Sequence, residues 1–276
     1  MFTLVTGTGY TGRRILPLLP EGSVVGISRT PIDAERPVRA FDLDTTTKLP
    51  VGLRGAYGVI YTVPPAGEPA DARLQRFLPL LTPPPSRFVY ISTTGIYGDC
   101  GGAAVTELTP ANPGNERSAR RVAAEALLQD WAGQNRCELV ILRAPGIYGP
   151  DRLGLERIRA GVPILDEQSA YPGNRIHVDD LARCCVTALA DDVPAGVYNV
   201  GDGDHRSSTA FTLAVATLAG LPAPPRISRE EAERQFSPAR MSFLNESRVV
   251  DTTKMREVLG VTPRYADPED GIRASL

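Results

Sequence analysis

The sequence predicts a doubly wound α/β fold, a parallel sheet with crossover helices on both faces, followed by a looser C-terminal region. Three observations carry this expectation. Strand-like apolar runs alternate with helical patterns over the first two-thirds of the 276 residues, the signature of a parallel sheet. A glycine-rich turn, Gly7-x-Gly9-x-x-Gly12, directly follows the first apolar run. Beyond Pro150 the alternation gives way to short helical segments.

Taken in order, residues 2–5 read as a strand and about Gly12 to Leu19 as a helix. Ser23 to Ser28, Val38 to Leu43 and Tyr57 to Val63 read as strands two to four, the last stopped by Pro64-Pro65. Ala70 to Leu81 has helical periodicity and runs into Pro83-Pro84-Pro85. Arg87 to Ser92, rich in β-branched and aromatic residues, is a fifth strand. Glu116 to Ala132 repeats apolar residues at helical spacing, and Leu139 to Arg143 is a sixth strand. Further on, Leu153 to Ala160 and Val178 to Ala190 read as helices, the latter opened by Asp179-Asp180 against the helix dipole. Val197 to Val200 is a short strand, and Ser208 to Ala219 and Glu230 to Gln235 are helices.

Composition narrows the function classes. Apolar residues make up 42% and charged residues 22% of the chain, ordinary for a soluble globular protein. The net charge of −2 supplies no basic field for nucleic acid or acidic membranes. No apolar run reaches the roughly 20 residues that span a bilayer. The four cysteines lack metal-ligand spacing, so no metal site is expected; reduced thiols in the cytoplasm are the natural reading.

The glycine turn sits where dinucleotide recognition demands, after a strand and opening a helix. Gly7, Gly9 and Gly12, with Tyr10 and Thr11 between them, permit a tight turn and close approach of a pyrophosphate. An NAD-preferring site places Asp or Glu about 20 residues on, at the end of the second strand. Here Ser28-Arg29-Thr30 stands there. A guanidinium beside hydroxyls suits a 2′-phosphate, so NADP(H) is expected over NAD(H); the plain alternative is a solvated loop arginine. Asp42-Leu43, closing the third strand, is a candidate for the adenine edge, and Val63, closing the fourth, for the cofactor cleft.

With these residues in view, the chain resembles the extended and atypical, epimerase/dehydratase-like branch of the short-chain dehydrogenase/reductase superfamily, almost end to end. The resemblance rests on Ile91-Ser92-Thr93-Thr94-Gly95-Ile96-Tyr97-Gly98-Asp99 and Leu142-Arg143-Ala144-Pro145-Gly146-Ile147-Tyr148-Gly149-Pro150. It rests also on Arg175-Ile176-His177-Val178-Asp179-Asp180-Leu181 and Tyr198-Asn199-Val200-Gly201-Asp202. It implies a Rossmann dinucleotide-binding domain over 1–150, to which 174–201 return. It also implies a small substrate-binding lobe over 151–276, mainly 151–173 and 202–276. Thr93 is implied to hydrogen-bond a substrate oxygen, against the alternative of a hydroxyl satisfying local backbone. Pro145 and Gly146 are implied to flank the nicotinamide. Tyr97, Tyr148 and Tyr10 read as packing or cofactor-lining residues; His177 reads as architectural.

One part of the family pattern is missing. No lysine occurs between Lys48 and Lys254, and no tyrosine between Tyr97 and Tyr148, so the Tyr-x-x-x-Lys pair is absent. In the family a Glu commonly lies four residues after that Lys. Glu125 therefore registers Arg121 on the Lys position and Arg117 on the Tyr position. Arg121 is a candidate for the ribose contact and the positive field. Arg117 stays protonated and cannot serve as a general base. The two arginines, four apart, share a helix face; they either bracket an anion or form a solvated face.

The main functional expectation is an NADP(H)-dependent oxidoreductase on a small, possibly anionic, carbonyl or alcohol substrate, with Thr93, Arg117 and Arg121 in the catalytic site. A non-catalytic NADP(H)-binding sensor is one alternative. A nucleotide-sugar epimerase or dehydratase is another, disfavoured by the lost tyrosine and by a short lobe with little chain left to enclose a sugar nucleotide. The expected partner is a small molecule, with no nucleic acid or membrane, and the expected assembly a monomer or homodimer.

Overall fold

The computed structural model describes residues 1–66 and 71–276. Seven parallel strands form the central sheet: β1 (Phe2–Thr6), β2 (Val24–Ser28), β3 (Val38–Ala40), β4 (Tyr57–Tyr61), β5 (Arg87–Thr93), β6 (Glu138–Ala144) and β7 (Gly196–Asn199). Their spatial order is β7-β6-β5-β4-β1-β2-β3. The order reverses between β1 and β4, the switch point at which open α/β sheets form a crevice beyond the carboxyl ends of their strands. Register aligns those ends: Thr6 pairs with Ile27 and Tyr61, and Thr93 pairs with Ala144. Gly7, Arg29, Val63, Thr93 and Pro145 therefore emerge along one edge.

Alternation along the strands divides the core into two layers. Val5, Ile60, Val89 and Val140 face one side; Leu4, Val59, Phe88 and Ile141 face the other. The first side is covered by α1 (Gly12–Ile15) and α5 (Val178–Thr187), the second by α2 (Ala72–Phe77) and α3 (Glu116–Asn135). Helix α3 is capped by Asn115, whose carboxamide accepts the Ser118 amide at 2.9 Å, and ends at Arg136 in the left-handed region.

The edge strand β7 is closed off by side chains. Lys254 Nζ donates to Val197 O at 2.7 Å, and Glu107 Oε1 accepts the Asn199 amide at 2.8 Å. These occupy ladder positions that would otherwise template pairing with another chain.

The predicted elements are present, with three differences. The third strand stops at Ala40 rather than Leu43, because the Asp42 carbonyl accepts the Thr45 and Thr46 amides and starts a turn. The helices predicted over Gly12 to Leu19 and Ala70 to Leu81 each finish as a 3₁₀ turn, Leu16–Leu18 and Leu78–Leu80. Pro17 and Pro79 supply no amide there. Ala70 lies outside the described residues, and α2 is capped by Asp71.

After β6 the chain leaves the sheet. Helices α4 (Leu155–Arg159), α6 (Ser208–Leu218), α7 (Arg229–Gln235), α8 (Pro238–Leu244), α9 (Thr253–Glu257) and α10 (Pro268–Arg273) follow, of which α8, α9 and α10 had no counterpart in the sequence reading. Two small clusters hold these elements: Tyr148, Leu153, Ile158, Val215 and Ile272 in one, and Leu165, Ala232, Phe236 and Met241 in the other. Short parallel pairs stitch them to the rest, Arg175–His177 along Gly146–Tyr148 and Val249–Val250 along Ala104–Val105. Among the described residues, no helix is long and apolar enough to cross a membrane.

Candidate functional site

The site begins at the glycine turn. Gly7 has φ +91°, and a Cβ there would lie 2.7 Å from both Thr62 Oγ1 and Val63 Cγ2. At Gly12 a Cβ would lie 1.9 Å from Gly7 O, so the helix start can be this close only without a side chain. Gly9 differs: a Cβ there would meet nothing within 4 Å, because it faces the open crevice. The hydroxyls of Thr6 and Thr8 are buried and have no partner among the described residues. A tight turn, an open concavity above Gly9 and spare buried donors beneath it fit a dinucleotide pyrophosphate.

Three adjoining cavities follow the strand ends. The outermost, about 150 Å³, is lined by Gly7, Ser28, Arg29, Asp42, Leu43 and Val63, which brings every residue predicted for the adenosine end into one place. It also contains a residue the sequence reading did not single out. Asp44 holds Arg73 at 2.7 Å and Arg76 at 3.0 Å, and hydrogen bonding to Arg73 draws its carboxyl below the usual carboxylate range. Arg29 is exposed beside this cluster.

The middle cavity, about 340 Å³, is lined by Gly7, Gly9, Tyr10, Thr11, Thr93, Arg121, Pro145 and Arg152. Tyr10 donates to Pro150 O at 2.9 Å, and the Arg152 guanidinium lies 3.8 Å from its ring centroid. Arg152 is a second lining residue without a local sequence signal.

The innermost cavity, about 730 Å³, opens between the sheet edge and the C-terminal elements. Its walls include Thr93, Arg117, Arg121, Gly146, Arg175, Phe211 and Phe243. It shares Pro64, Thr93, Arg121, Pro145 and Ile147 with the middle cavity. Thr93 and Arg121 are thus the polar side chains at the junction. Thr93 Oγ1 accepts the Gly95 amide at 3.1 Å, which leaves its own O–H to donate elsewhere. Arg121 Nη1 donates to Ile91 O at 2.6 Å and to the Tyr90 hydroxyl at 3.0 Å. Burial pushes the Tyr90 phenol up to about 12, against the lowering effect of Arg121.

The hydroxyls of the nearby tyrosines are either hydrogen-bonded or buried, that of Tyr148 with no partner among the described residues. Tyr97 donates to Asn199 Oδ1 at 2.7 Å and accepts Arg143 Nη1 at 2.9 Å. The Tyr148 hydroxyl is buried against Gly271, where a Cβ would come within 2.3 Å of it. His177 caps α5 through Nδ1, packs edge-on against Tyr148, and has its pKa lowered by burial. His205 Nδ1 lies 3.1 Å from Asn174 Oδ1.

A further cavity of about 340 Å³ shares Ser208, Phe211, Thr212 and Phe243 with the innermost one. Arg152, Arg157 and Arg240 line it, and among the described residues no carboxylate does. Arg240 is pushed down to about 10, first by burial and then by the charge of Arg157. The innermost cavity and the two of about 340 Å³ each fall within the range of small-molecule sites, which runs against the expectation that the short lobe leaves little chain to enclose a sugar nucleotide. Helix α8, missed in the sequence, supplies Arg240, Phe243 and Leu244 to these walls beside the predicted helices α4 and α6.

Behind Arg175, Asp202 is 5% exposed, and one of its carboxylate oxygens has no partner among the described residues. Burial raises its carboxyl from the usual range to about 7. The folded protein therefore holds a proton that the unfolded chain releases above pH 4. The Asp202 contribution to stability, read as the difference between the unaltered protein and Asp202→Asn, is expected to fall as pH rises from about 4 to 7 with a slope approaching about 1.4 kcal/mol per unit, and to level off above 7. Urea unfolding across this range checks it. Asp202→Asn should remove that component of the slope, and an unchanged slope in the variant refutes the assignment.

Comparison with known proteins places this geometry among relatives. Residues 79–201 match the NAD dependent epimerase/dehydratase family. A dTDP-glucose 4,6-dehydratase of Neisseria gonorrhoeae is 28% identical over 205 residues, 69% of this chain and 58% of that protein. The dTDP-D-glucose 4,6-dehydratase of Homo sapiens matches over only 38% of its own length; the chain spans roughly 38–58% of the curated relatives named here. Among solved structures, a functionally unknown conserved protein from Silicibacter pomeroyi superposes with TM-score 0.83 at 30% identity, covering 99% of this chain and 98% of that one. UDP-glucuronic acid 4-epimerase from Bacillus cereus, solved with NAD, superposes with TM-score 0.72 at 19% identity, covering 100% and 97%.

Proposed function

We propose that this chain, an epimerase/dehydratase-like member of the short-chain dehydrogenase/reductase superfamily by its matches over 79–201 and along its sheet, is an NAD(P)-dependent enzyme acting on a carbinol or carbonyl of a nucleotide-sugar-like substrate. The observation that carries the reading is the continuous path from the glycine turn, past Thr93 and Arg121, into the large cavity. The adjoining arginine-lined cavity supports the nucleotide-sugar class. Three cations without a carboxylate suit a diphosphate, with Phe211 and Phe243 as apolar neighbours. In this reading residues 1–150 and 174–201 serve the cofactor, and 151–173 and 202–276 serve the substrate.

Gly7, Gly9, Tyr10, Thr11 and Gly12 would hold the pyrophosphate, Ser28, Arg29, Asp42, Leu43 and Val63 the adenosine end, and Pro145, Gly146 and Arg121 the nicotinamide end. When bound, the nicotinamide supplies hydride donation and acceptance. Thr93 orients the reacting oxygen through its free O–H. Arg121 provides a fixed positive charge beside it, stabilising negative charge as it develops. Neither replaces a tyrosine as proton donor. Incubation with NAD⁺ or NADP⁺ and a panel of UDP- and dTDP-sugars, followed by NMR, tests the proposal: conversion of at least one sugar supports it, and Thr93→Ala should abolish that conversion. No conversion across the panel refutes it.

NADP(H) remains the preferred cofactor in our reading, because Arg29 is exposed at the adenosine end while Asp44 is held by Arg73 and Arg76. NADPH is expected to bind about tenfold more tightly than NADH, and Arg29→Ala to erase the difference. Equal affinities in the unaltered protein would overturn it.

A second reading, a cofactor-binding sensor without turnover, draws on the engaged tyrosines: Tyr97, Tyr148 and Tyr10 all spend or bury their hydroxyls. Tight NADPH binding without conversion of any substrate is its signature.

A further inference from the structure

The family position of the proton-transferring tyrosine is taken here by Arg117, whose surroundings say what an arginine does there. Among the described residues, the innermost cavity is lined by five arginines (Arg117, Arg120, Arg121, Arg175 and Arg248) and one carboxylate, Glu246; Arg120 lies 3.9 Å from Glu116, one turn away on α3. Arg175 is paired with Asp204 at 3.1 Å and Arg248 with Glu246 at 2.8 Å. Arg121 donates to neutral oxygens, a carbonyl and a phenol. Arg117 has no carboxylate partner among the described residues. Its guanidinium instead lies 4.1 Å from the ring centroid of Phe243, on α8 across the cavity.

That contact is informative. Phe243 is 60% exposed and contributed by a helix more than a hundred residues away in sequence. The ring face holds the guanidinium by a cation–π contact that uses none of its conventional hydrogen-bonding capacity, which leaves its N–H donors for an oxygen acceptor. An anionic oxygen group is the acceptor these donors suit best, by paired charge-assisted hydrogen bonds. It would also relieve the repulsion between Arg117 and Arg121, one helical turn apart on the same face.

We infer that Arg117 holds an anionic oxygen group of the substrate, a carboxylate or a phosphate, close to the reacting carbon. The inference rests on the proposed function and narrows it. The substrate carries a negative charge of its own beside the carbinol or carbonyl, and Arg117 is a specificity-determining residue. The position thus changes from moving a proton to holding a charge, which a permanently protonated side chain can do.

The test is calorimetric titration of the NADPH-loaded protein with malonate and, separately, inorganic phosphate at constant ionic strength, with dimethyl malonate as the uncharged control. At least one anion is expected to bind with a dissociation constant in the millimolar range. Arg117→Gln should weaken it about tenfold or more, and Arg117→Lys, which keeps the charge without the fork, only about threefold. NADPH affinity should be unchanged in both variants, since Arg117 lies outside the nucleotide cavities. Which anion binds distinguishes a substrate carboxylate from a phosphate. Equal anion affinity in Arg117→Gln, equal binding of dimethyl malonate, or no binding of either anion overturns the inference. Arg117-dependent anion binding without conversion of any sugar nucleotide would instead overturn the proposed reaction and leave this site standing.

Discussion

Gly12→Ala is expected to lower NAD(P)H affinity at least about a hundredfold, close to 2.7 kcal/mol. The new methyl would sit 1.9 Å from Gly7 O, a carbonyl already fixed by the Thr62 hydroxyl at 2.7 Å. Neither backbone segment can retreat easily. The Gly7 amide donates to Ile27 O at 2.9 Å, and the Arg13 amide to Gly9 O at 3.0 Å. Relief must come from opening the turn, which moves the amides away from the place a pyrophosphate would occupy. Some stability should go as well, about 1–3 kcal/mol, as in other overpacked sites. Gly9→Ala separates the two consequences. Gly9 does not have a positive φ and its Cβ meets nothing, so the melting temperature should hold or rise slightly. The methyl nevertheless projects into the crevice, and NADPH binding should fall. Fluorescence titration with NADPH alongside thermal melts reads both. A Gly9→Ala protein that binds NADPH normally would remove the cofactor from this turn.

Much of the nucleotide half was legible because its signals are local. A turn that tolerates no Cβ at Gly7 and Gly12 must be written with glycine, and strands buried on both faces must be written as apolar runs. Ser28 ends a strand and Arg29, Asp42, Leu43 and Val63 lie one to three residues beyond theirs, and register in a parallel sheet brings these positions to one cavity. What failed was long-range. Phe243 reaches Arg117, and Arg240 reaches the wall near Arg157, only through tertiary packing with no periodic trace. The helices carrying such residues were missed, although Ser237-Pro238 and Asp267-Pro268 are capping residues followed by proline at the first helical position. Asp202 shows the same limit, since its raised pKa comes from burial by elements distant in sequence.

Glu125→Ala is expected to cost about 3–5 kcal/mol, because it leaves the guanidinium of Arg143 buried without its counter-charge. Glu125 Oε2 accepts Arg143 Nη2 at 2.8 Å, Oε1 accepts Arg143 Nε at 3.3 Å, and the Ser92 hydroxyl also donates to Oε1. The side chains of Glu125 and Arg143 are 6% and 10% exposed, so water cannot substitute cheaply. Arg143 continues the network to Tyr97, and Tyr97 to Asn199, linking α3, β5, β6 and β7. Urea unfolding of Glu125→Leu, Arg143→Met and the double variant should show the pair to be strongly non-additive. The double variant should be more stable than the sum of the singles by about 2–3 kcal/mol, and a Glu125→Ala loss below about 1 kcal/mol would sink the argument. The consequence reaches the site, because Glu125 lies one turn from Arg121 on α3. Once the carboxylate that ties this helix to Ser92 and Arg143 is gone, Arg121 loses the constraint that keeps its guanidinium on Ile91 O. Activity should therefore fall at temperatures where the variant is still folded, with NADPH binding at the glycine turn far less affected. A merely global loss of stability would not separate the two.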